Sequence, residues 1–183
     1  MTIEIEYNLL YRKWCFVRGL EVEKEDPTIE KVLAKQELGL CEMQLAKDER
    51  NFHVWNYRSW IINTLKAMDQ NVIDKELKFI DSKLESNFSN FSALHFKSKN
   101  LISKYTLYLQ GLKAQKVSEF QDSALVSDVL LYGVPLNTIK QELETVKTGL
   151  YMQSSEQSMW LYHQWLIDRL IPVEVGWIVM MKS

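Results

Sequence analysis

Proline and glycine are scarce in this chain, three and six respectively among 183 residues, and set against 46% hydrophobic residues that scarcity suits a mostly helical protein. Cysteine is scarcer still. Cys15 and Cys41 are too few and too far apart for a disulfide framework or a CxxC site, so both are expected as buried thiols in a reducing compartment. No apolar run reaches the roughly 18 residues a membrane span needs, and no basic segment leads into an apolar one. These absences predict a soluble, cytoplasmic protein with no transmembrane segment. Charge of one sign is lacking too: 22 basic residues face 24 acidic ones, with no long run of either. Nucleic acid and anionic membranes therefore have no electrostatic footprint to bind. The length suffices for one domain with a sizeable core or for several repeats of a solenoid.

What the chain does contain is repetition. The segment Asn51–Trp60 (NFHVWNYRSW) has a degraded copy at Asn90–Lys99 (NFSALHFKSK) and another at Glu156–Trp165 (EQSMWLYHQW). Trp55, Leu94 and Trp160 correspond, as do Tyr57, Phe96 and Tyr162, and then Arg58, Lys97 and His163. A Glu-Leu pair precedes each copy at Glu37, Glu76 and Glu142, always 18 residues before the Trp or Leu position. An interval kept while residues change marks one structural unit used several times.

Within each unit the apolar spacing is helical. Leu38, Cys41 and Leu45 fall at i, i+3 and i+7, matched by Leu77, Ile80 and Leu84 and by Leu143, Val146 and Leu150. Val54, Tyr57 and Ile61 repeat the spacing in the signature segment, answered by Ala93 and Phe96, and by Met159, Tyr162 and Leu166. Between the two stretches stand turn and cap residues: Asp48 and Asn51, then Asn87, Ser89 and Asn90, then Ser154 and Ser155. Each unit is thus predicted to be an antiparallel helix pair, and the fold an all-α solenoid of such pairs.

The repeats are expected at about residues 31–66, 70–104 and 136–170. Leu9–Trp14 aligns with Trp55–Trp60, so residues 7–20 read as the second half of an earlier unit and the chain as incomplete at its start. Residues 21–30 form a polar connection with a helix start at Asp26-Pro27. About 105–135 is an insertion. In it Tyr105–Leu112 continues the preceding helix, Ala114–Ser127 is expected as a mobile loop, Asp128–Leu131 opens a short apolar piece, and Gly133-Val134-Pro135 breaks it. Residues 171–183, containing the apolar run Val173–Met181, are expected as a tail or the stub of a further element.

Helix pairs with a Trp-x-x-Arg core after an Asn-aromatic-His turn resemble the α-subunit repeats of protein prenyltransferases. Asp48–Arg58 (DERNFHVWNYR), Asn87–Lys97 (NFSNFSALHFK) and Gln157–Ile167 (QSMWLYHQWLI) are similar in particular to consecutive repeats of the Rab geranylgeranyltransferase α subunit. The resemblance covers roughly residues 7–170 in order. A tetratricopeptide array would show a 34-residue period and a Leu-Gly pair after its Trp, and neither is present.

The resemblance implies a right-handed α-α superhelix wrapped around a separate β subunit. That partner holds the catalytic zinc and the isoprenoid pocket, and no cofactor is expected on this chain. Geranylgeranyl diphosphate reacts at the shared site, and the acceptors are C-terminal cysteines of Rab GTPases presented by an escort protein. By the same resemblance Asn51, Phe52 and His53 lie on the diphosphate side of the active site, with His53 the candidate catalytic residue. Phe52 stands where related farnesyl enzymes carry a tyrosine. The lysine that assists diphosphate departure falls, five residues before the Leu9 position, on Glu4.

Plainer roles compete with these. Trp55, Trp160 and the tyrosines Tyr57 and Tyr162 are expected in the core, because aromatics at helical spacing usually are. Leu94 and Phe96 hold the same places in the second repeat. Arg58 and Lys97 are expected to donate to turn carbonyls of a neighbouring unit. His53 could be a surface or capping residue. His95 and His163 sit at other phases of the repeat, so the three histidines do not make one metal site. No Ser-His-Asp arrangement, glycine-rich phosphate loop or HExxH occurs. Two functions follow: one subunit of a prenyltransferase, or a non-enzymatic repeat scaffold of the same descent.

Overall fold

The protein is described by a computed structural model, which places residues 2–22, 27–66, 69, 71–114 and 124–171. Every regular element among them is an α-helix: α1 (Thr2–Val22), α2 (Pro27–Lys47), α3 (Phe52–Leu65), α4 (Val72–Ser86), α5 (Phe91–Ala114), α6 (Ala124–Tyr132), α7 (Leu136–Met152) and α8 (Gln157–Arg169). The chain divides into two compact units, Met1–Glu76 and Leu77–Ser183, with the border inside α4.

In the first unit α2 and α3 form a hairpin, and α1 packs on both. Pro27 is the first residue of α2, where its missing N–H costs nothing. Ala34, Cys41 and Leu45 are buried along one side of α2, and Val54, Trp55, Tyr57, Ile61, Ile62 and Leu65 along α3. The turn between them is held by side chains. Asp48 Oδ1 accepts the Arg50 N–H at 3.2 Å, and Asn51 caps α3 by accepting the Val54 N–H, also at 3.2 Å.

The second unit repeats that turn. Asn87 Oδ1 accepts the Ser89 N–H at 3.1 Å, and Asn90, fully buried, caps α5 by accepting the Ala93 N–H at 3.0 Å. Each such cap satisfies a backbone donor that the first helical turn leaves without a partner. Asn90→Ala is therefore expected to cost about 1–2 kcal/mol, read as a lower midpoint in urea unfolding with the slope unchanged. The third turn lacks this device. Ser154 and Ser155 lie in it, but the cap position is Glu156, whose side chain makes no capping bond.

The insertion is more ordered than expected. Helix α5 runs to Ala114, residues 115–123 lie outside the described set, and Ala124–Ser127, expected as loop, begin α6. Val126 and Val129 of α6 are buried, and α6 packs against α5 and α7. Its nine residues, interrupted by Ser127 and Asp128, carry too short an apolar pattern to stand out in a polar stretch. Gly133 then breaks the chain with φ +75°, a backbone conformation glycine adopts without strain. Asp128 Oδ2 accepts the Leu136 N–H at 3.0 Å and so caps α7, a task its neighbour Pro135 does not perform. Helices α7 and α8 form the last hairpin, with α8 also against α5. Gly149 sits where an added Cβ would lie 3.0 Å from Met159 Cε, which lets the two helices approach closely.

Val173–Met181, read as a tail, falls outside the described residues. No described helix is long and apolar enough to cross a membrane.

Candidate functional site

The Asn51-Phe52-His53 turn sits at the head of α3. Asn51 Oδ1 is engaged by the Val54 N–H, which leaves its amide NH2 as the group it can offer a ligand. Phe52 is largely exposed, and its ring lies 3.9 Å, centroid to centroid, from that of half-buried His53. His53 borders a small pocket of about 190 Å³ with Leu9, Lys13, Asn56, Tyr57 and Trp60. Lys13 Nζ stands 4.6 Å from the Trp60 ring centroid, a cation held over an aromatic face. The turn thus presents a hydrogen-bonding imidazole and amide at the surface of a rigid hairpin. Glu4 lies in α1, and its side chain is outside the described set.

Below this surface the three Glu-Leu pairs acquire a role. Glu37 of α2 accepts two hydrogen bonds from Arg12 of α1, at 2.9 and 2.6 Å, and one from the Tyr57 hydroxyl of α3 at 2.9 Å. One carboxylate thus ties three helices together. Burial, followed by the hydrogen bond to Glu37, raises the Tyr57 phenol, so its proton stays in the bond. In the second unit Glu142 of α7 does the same: Lys97 Nζ of α5 lies 2.7 Å away, and the Tyr162 hydroxyl of α8 donates at 3.0 Å. Burial raises the Tyr162 phenol as well, reinforced by the Glu142 charge. Burial on its own would lower Lys97, but Glu142 and Asp81, 2.9 Å away, outweigh it and hold the ammonium charged.

The middle copy has Phe96 where the other two have tyrosine, so no phenol stands 20 residues after Glu76. Glu76 instead takes a fork from Arg58, with Nε at 2.9 and 3.0 Å from its two oxygens and Nη2 at 2.8 Å. Both side chains are only 4% exposed. Arg58 also reaches Leu38 O at 3.2 Å and Glu42 at 3.4 Å. A planar guanidinium matches this two-oxygen geometry in a way an ammonium does not.

These contacts correct the role expected for Arg58 and Lys97. Their charged partners are carboxylates of first helices, because a buried cation needs an opposite charge more than a neutral carbonyl. The signal for it was present in the constant interval of the Glu-Leu pairs and in a tyrosine 20 residues after two of them.

The signature tryptophans separate. Trp55 is 1% exposed, with its indole N–H on Glu49 O at 2.9 Å. Trp160 makes the equivalent bond to Ser154 O at 2.8 Å, yet is 49% exposed and not a core residue. Met159 and Tyr162 take the sides of α8 turned to α7, and nothing among the described residues buries Trp160 as Trp55 is buried. Leu94, Tyr57, Phe96 and Tyr162 are buried as expected.

The cysteines separate too. Cys41 is buried beside a cleft of about 590 Å³ that runs along Leu9, Phe16, Leu33, Leu40 and Val54. Burial pushes its thiol up to about 12, so it is no thiolate nucleophile or metal ligand near neutral pH. Cys15, expected buried, is exposed on α1 next to exposed Tyr11 and Trp14. Among the described residues no group of three or more His, Cys, Asp or Glu side chains could hold a metal ion.

Helix pairs joined by a Glu clasp, with an Asn-aromatic-His turn at the surface, define a helical-hairpin repeat protein. Residues 34–65 match the family described as protein prenyltransferase alpha subunit repeat. Over most of its length it is similar to proteins named geranylgeranyl transferase type-2 subunit alpha. The one from Candida albicans is 33% identical over 86% of this chain and 42% of its own length. The rat protein is 34% identical over 76% of this chain and 21% of its own, and the human one 36% over 75% and 20%. The chain thus spans about two fifths of the fungal relative and about a fifth of the mammalian ones.

Proposed function

We propose that this chain serves as the α subunit, or as a piece of the α subunit, of a type-2 geranylgeranyl transferase. The observation that carries this reading is the similarity to such subunits along most of the chain, together with the repeat match that includes Asn51 and His53. In the proposed complex a separate β subunit supplies zinc to activate the acceptor thiol, and the clasped hairpins of this chain scaffold it. The Asn51-Phe52-His53 turn faces the diphosphate of geranylgeranyl diphosphate. His53 and the Asn51 amide offer hydrogen bonds to the charge that develops on the departing group. Phe52 offers no hydroxyl for the same purpose. Rab GTPases are the proposed acceptors, presented by an escort protein docked on the helical surface.

A second reading has one observation behind it. Glu4 occupies the place where the family's lysine would help the diphosphate leave, and a carboxylate there would repel it. On that reading the chain is a repeat scaffold without a catalytic part.

Co-expression with the β subunit of the same organism, followed by a geranylgeranyl transfer assay, separates the two. The enzymatic reading expects a stable complex whose transfer falls about tenfold in kcat with His53→Ala, the worth of one hydrogen bond of about 1–1.5 kcal/mol. Unchanged kcat in an intact complex leaves the scaffold reading. Failure to bind the β subunit at all overturns the first.

A further inference from the structure

Helix α1 carries three cations, Arg12, Lys13 and Arg18, and uses them differently. Arg12 is forked on Glu37, and Arg18 Nη1 lies 2.7 Å from Glu21. Lys13 has no carboxylate partner among the described residues, and its ammonium rests on the Trp60 ring instead. Trp60 is fixed from two sides, edge-on by Phe16 with centroids 5.5 Å apart and stacked by Tyr57 at 5.9 Å, while the Tyr57 hydroxyl is tied to Glu37. The platform is therefore rigid. The lysine on it is held weakly, because a half-exposed ring offers an ammonium little that water does not.

The pocket that Lys13 shares with His53 and Asn56 is lined by no carboxylate. Each of these three side chains has an N–H to donate, and none has a hydrogen-bond partner among the described residues. The pocket opens beside the first turn of α3, whose dipole also favours negative charge. Its volume of about 190 Å³ equals that of about six waters, a space for a phosphate or diphosphate group and too small for an isoprenoid chain. Donors without acceptors, with an unpaired ammonium among them, make this a place for an anion.

We propose that Lys13, together with His53, holds the diphosphate, supplying the cation that Glu4, earlier on α1, does not. The part of Lys13 in the reaction rests on the catalytic reading above; the anion site stands on the pocket alone. Swinging from the Trp60 ring towards His53 takes only rotation about the lysine's own side-chain bonds. In transfer, the carbon–oxygen bond of the prenyl diphosphate breaks with its electron pair staying on the diphosphate, and a carbon–sulfur bond forms to the acceptor thiolate. The Lys13 ammonium donates a hydrogen bond to the departing group as it gains charge and keeps its own proton.

Isothermal titration of the purified full chain with inorganic diphosphate at low ionic strength tests the site without a partner. One saturable site is expected, weakened about tenfold by Lys13→Met, the effect of losing a charge-assisted hydrogen bond. Lys13→Arg keeps the affinity within about threefold, because the guanidinium brings the same charge to the same oxygens. Lys35→Met, which removes an equal charge from an exposed position on α2, leaves it unchanged. Circular dichroism of Lys13→Met and of a second variant, Lys13→Gln, matches the parent. In the complex with the β subunit, Lys13→Met lowers kcat about tenfold and Lys13→Arg restores it.

No saturable binding at millimolar diphosphate, binding indifferent to residue 13, or equal losses in Lys13→Met and Lys35→Met overturns the proposal. So does an unchanged kcat for Lys13→Met in a complex whose transfer depends on His53, and in that case the catalytic reading survives. A chain that binds diphosphate through Lys13 yet forms no complex with the β subunit keeps the anion site and overturns the catalytic reading.

Discussion

Arg58→Ala is expected to lower the stability of the chain by about 3–5 kcal/mol at neutral pH, because it strips the partner from a carboxylate buried as deeply as Arg58 itself. Both side chains are 4% exposed, and the guanidinium makes three of its bonds to Glu76 alone. Burial is the largest influence on the Glu76 carboxyl and lifts it above the usual range, while Arg58 pulls it back. With the guanidinium gone, burial and the nearby Glu42 charge both act upward. A carboxyl whose folded-state pKa stands above its unfolded value contributes its full stability below the unfolded value and loses it as pH rises through the folded one. The deficit of Arg58→Ala is thus widest at neutral and higher pH. It narrows as pH falls towards the ordinary glutamate value of about 4.3, where Glu76 can be buried as the neutral acid. The pair Arg58→Met with Glu76→Gln, which removes both charges, recovers most of the loss. Urea unfolding at several pH values checks all three statements. A deficit below about 1 kcal/mol, or one that does not change with pH, would show that the pair is not sealed from water.

Trp55→Ala is expected to cost about 3–5 kcal/mol, and Trp160→Ala less than about 1 kcal/mol. The two residues hold the same place in the repeat and make the same bond, from the indole N–H to a carbonyl six residues earlier. They differ in what surrounds the ring. Trp55, 1% exposed, leaves a cavity in the core when truncated. Trp160, 49% exposed, leaves a site that water already reaches. The hydrogen bond is common to both, so the difference between the two variants isolates burial. Equal losses in the same urea experiment would contradict the exposure of Trp160 on α8.

Much of this was legible in the sequence because repetition supplies its own control. One amphipathic stretch such as Leu38, Cys41 and Leu45 is an ordinary helix signal, but the same spacing at two further places fixes both the element and its length. Pro27 at a helix start, the Asn51 and Asn90 caps and the Gly133 break all depend on local backbone chemistry, and each was readable from its own few residues. Helix α6 was not, because Val126 and Val129 are its only buried contacts and nine residues carry too little periodicity. The exposure of Cys15 and Trp160 was not readable either. A residue type states how burial would benefit it and says nothing about whether a neighbouring element arrives to provide it.

The clasps show where the division lies. The sequence by itself determined that this chain is built of helix pairs, where their turns fall, and that a Glu-Leu pair stands at a constant distance before each signature, because periodicity and capping are local properties of the chain. Only the tertiary structure decided what the glutamates are for. Glu37 meets Arg12 from 25 residues earlier, Glu76 meets Arg58 from 18 and Glu142 meets Lys97 from 45. Partners at such unequal separations cannot be matched by one interval, although each holds a fixed place in its own unit. They are chosen by the packing of helices and by the cost of leaving a buried charge alone, and both exist only once the chain has folded.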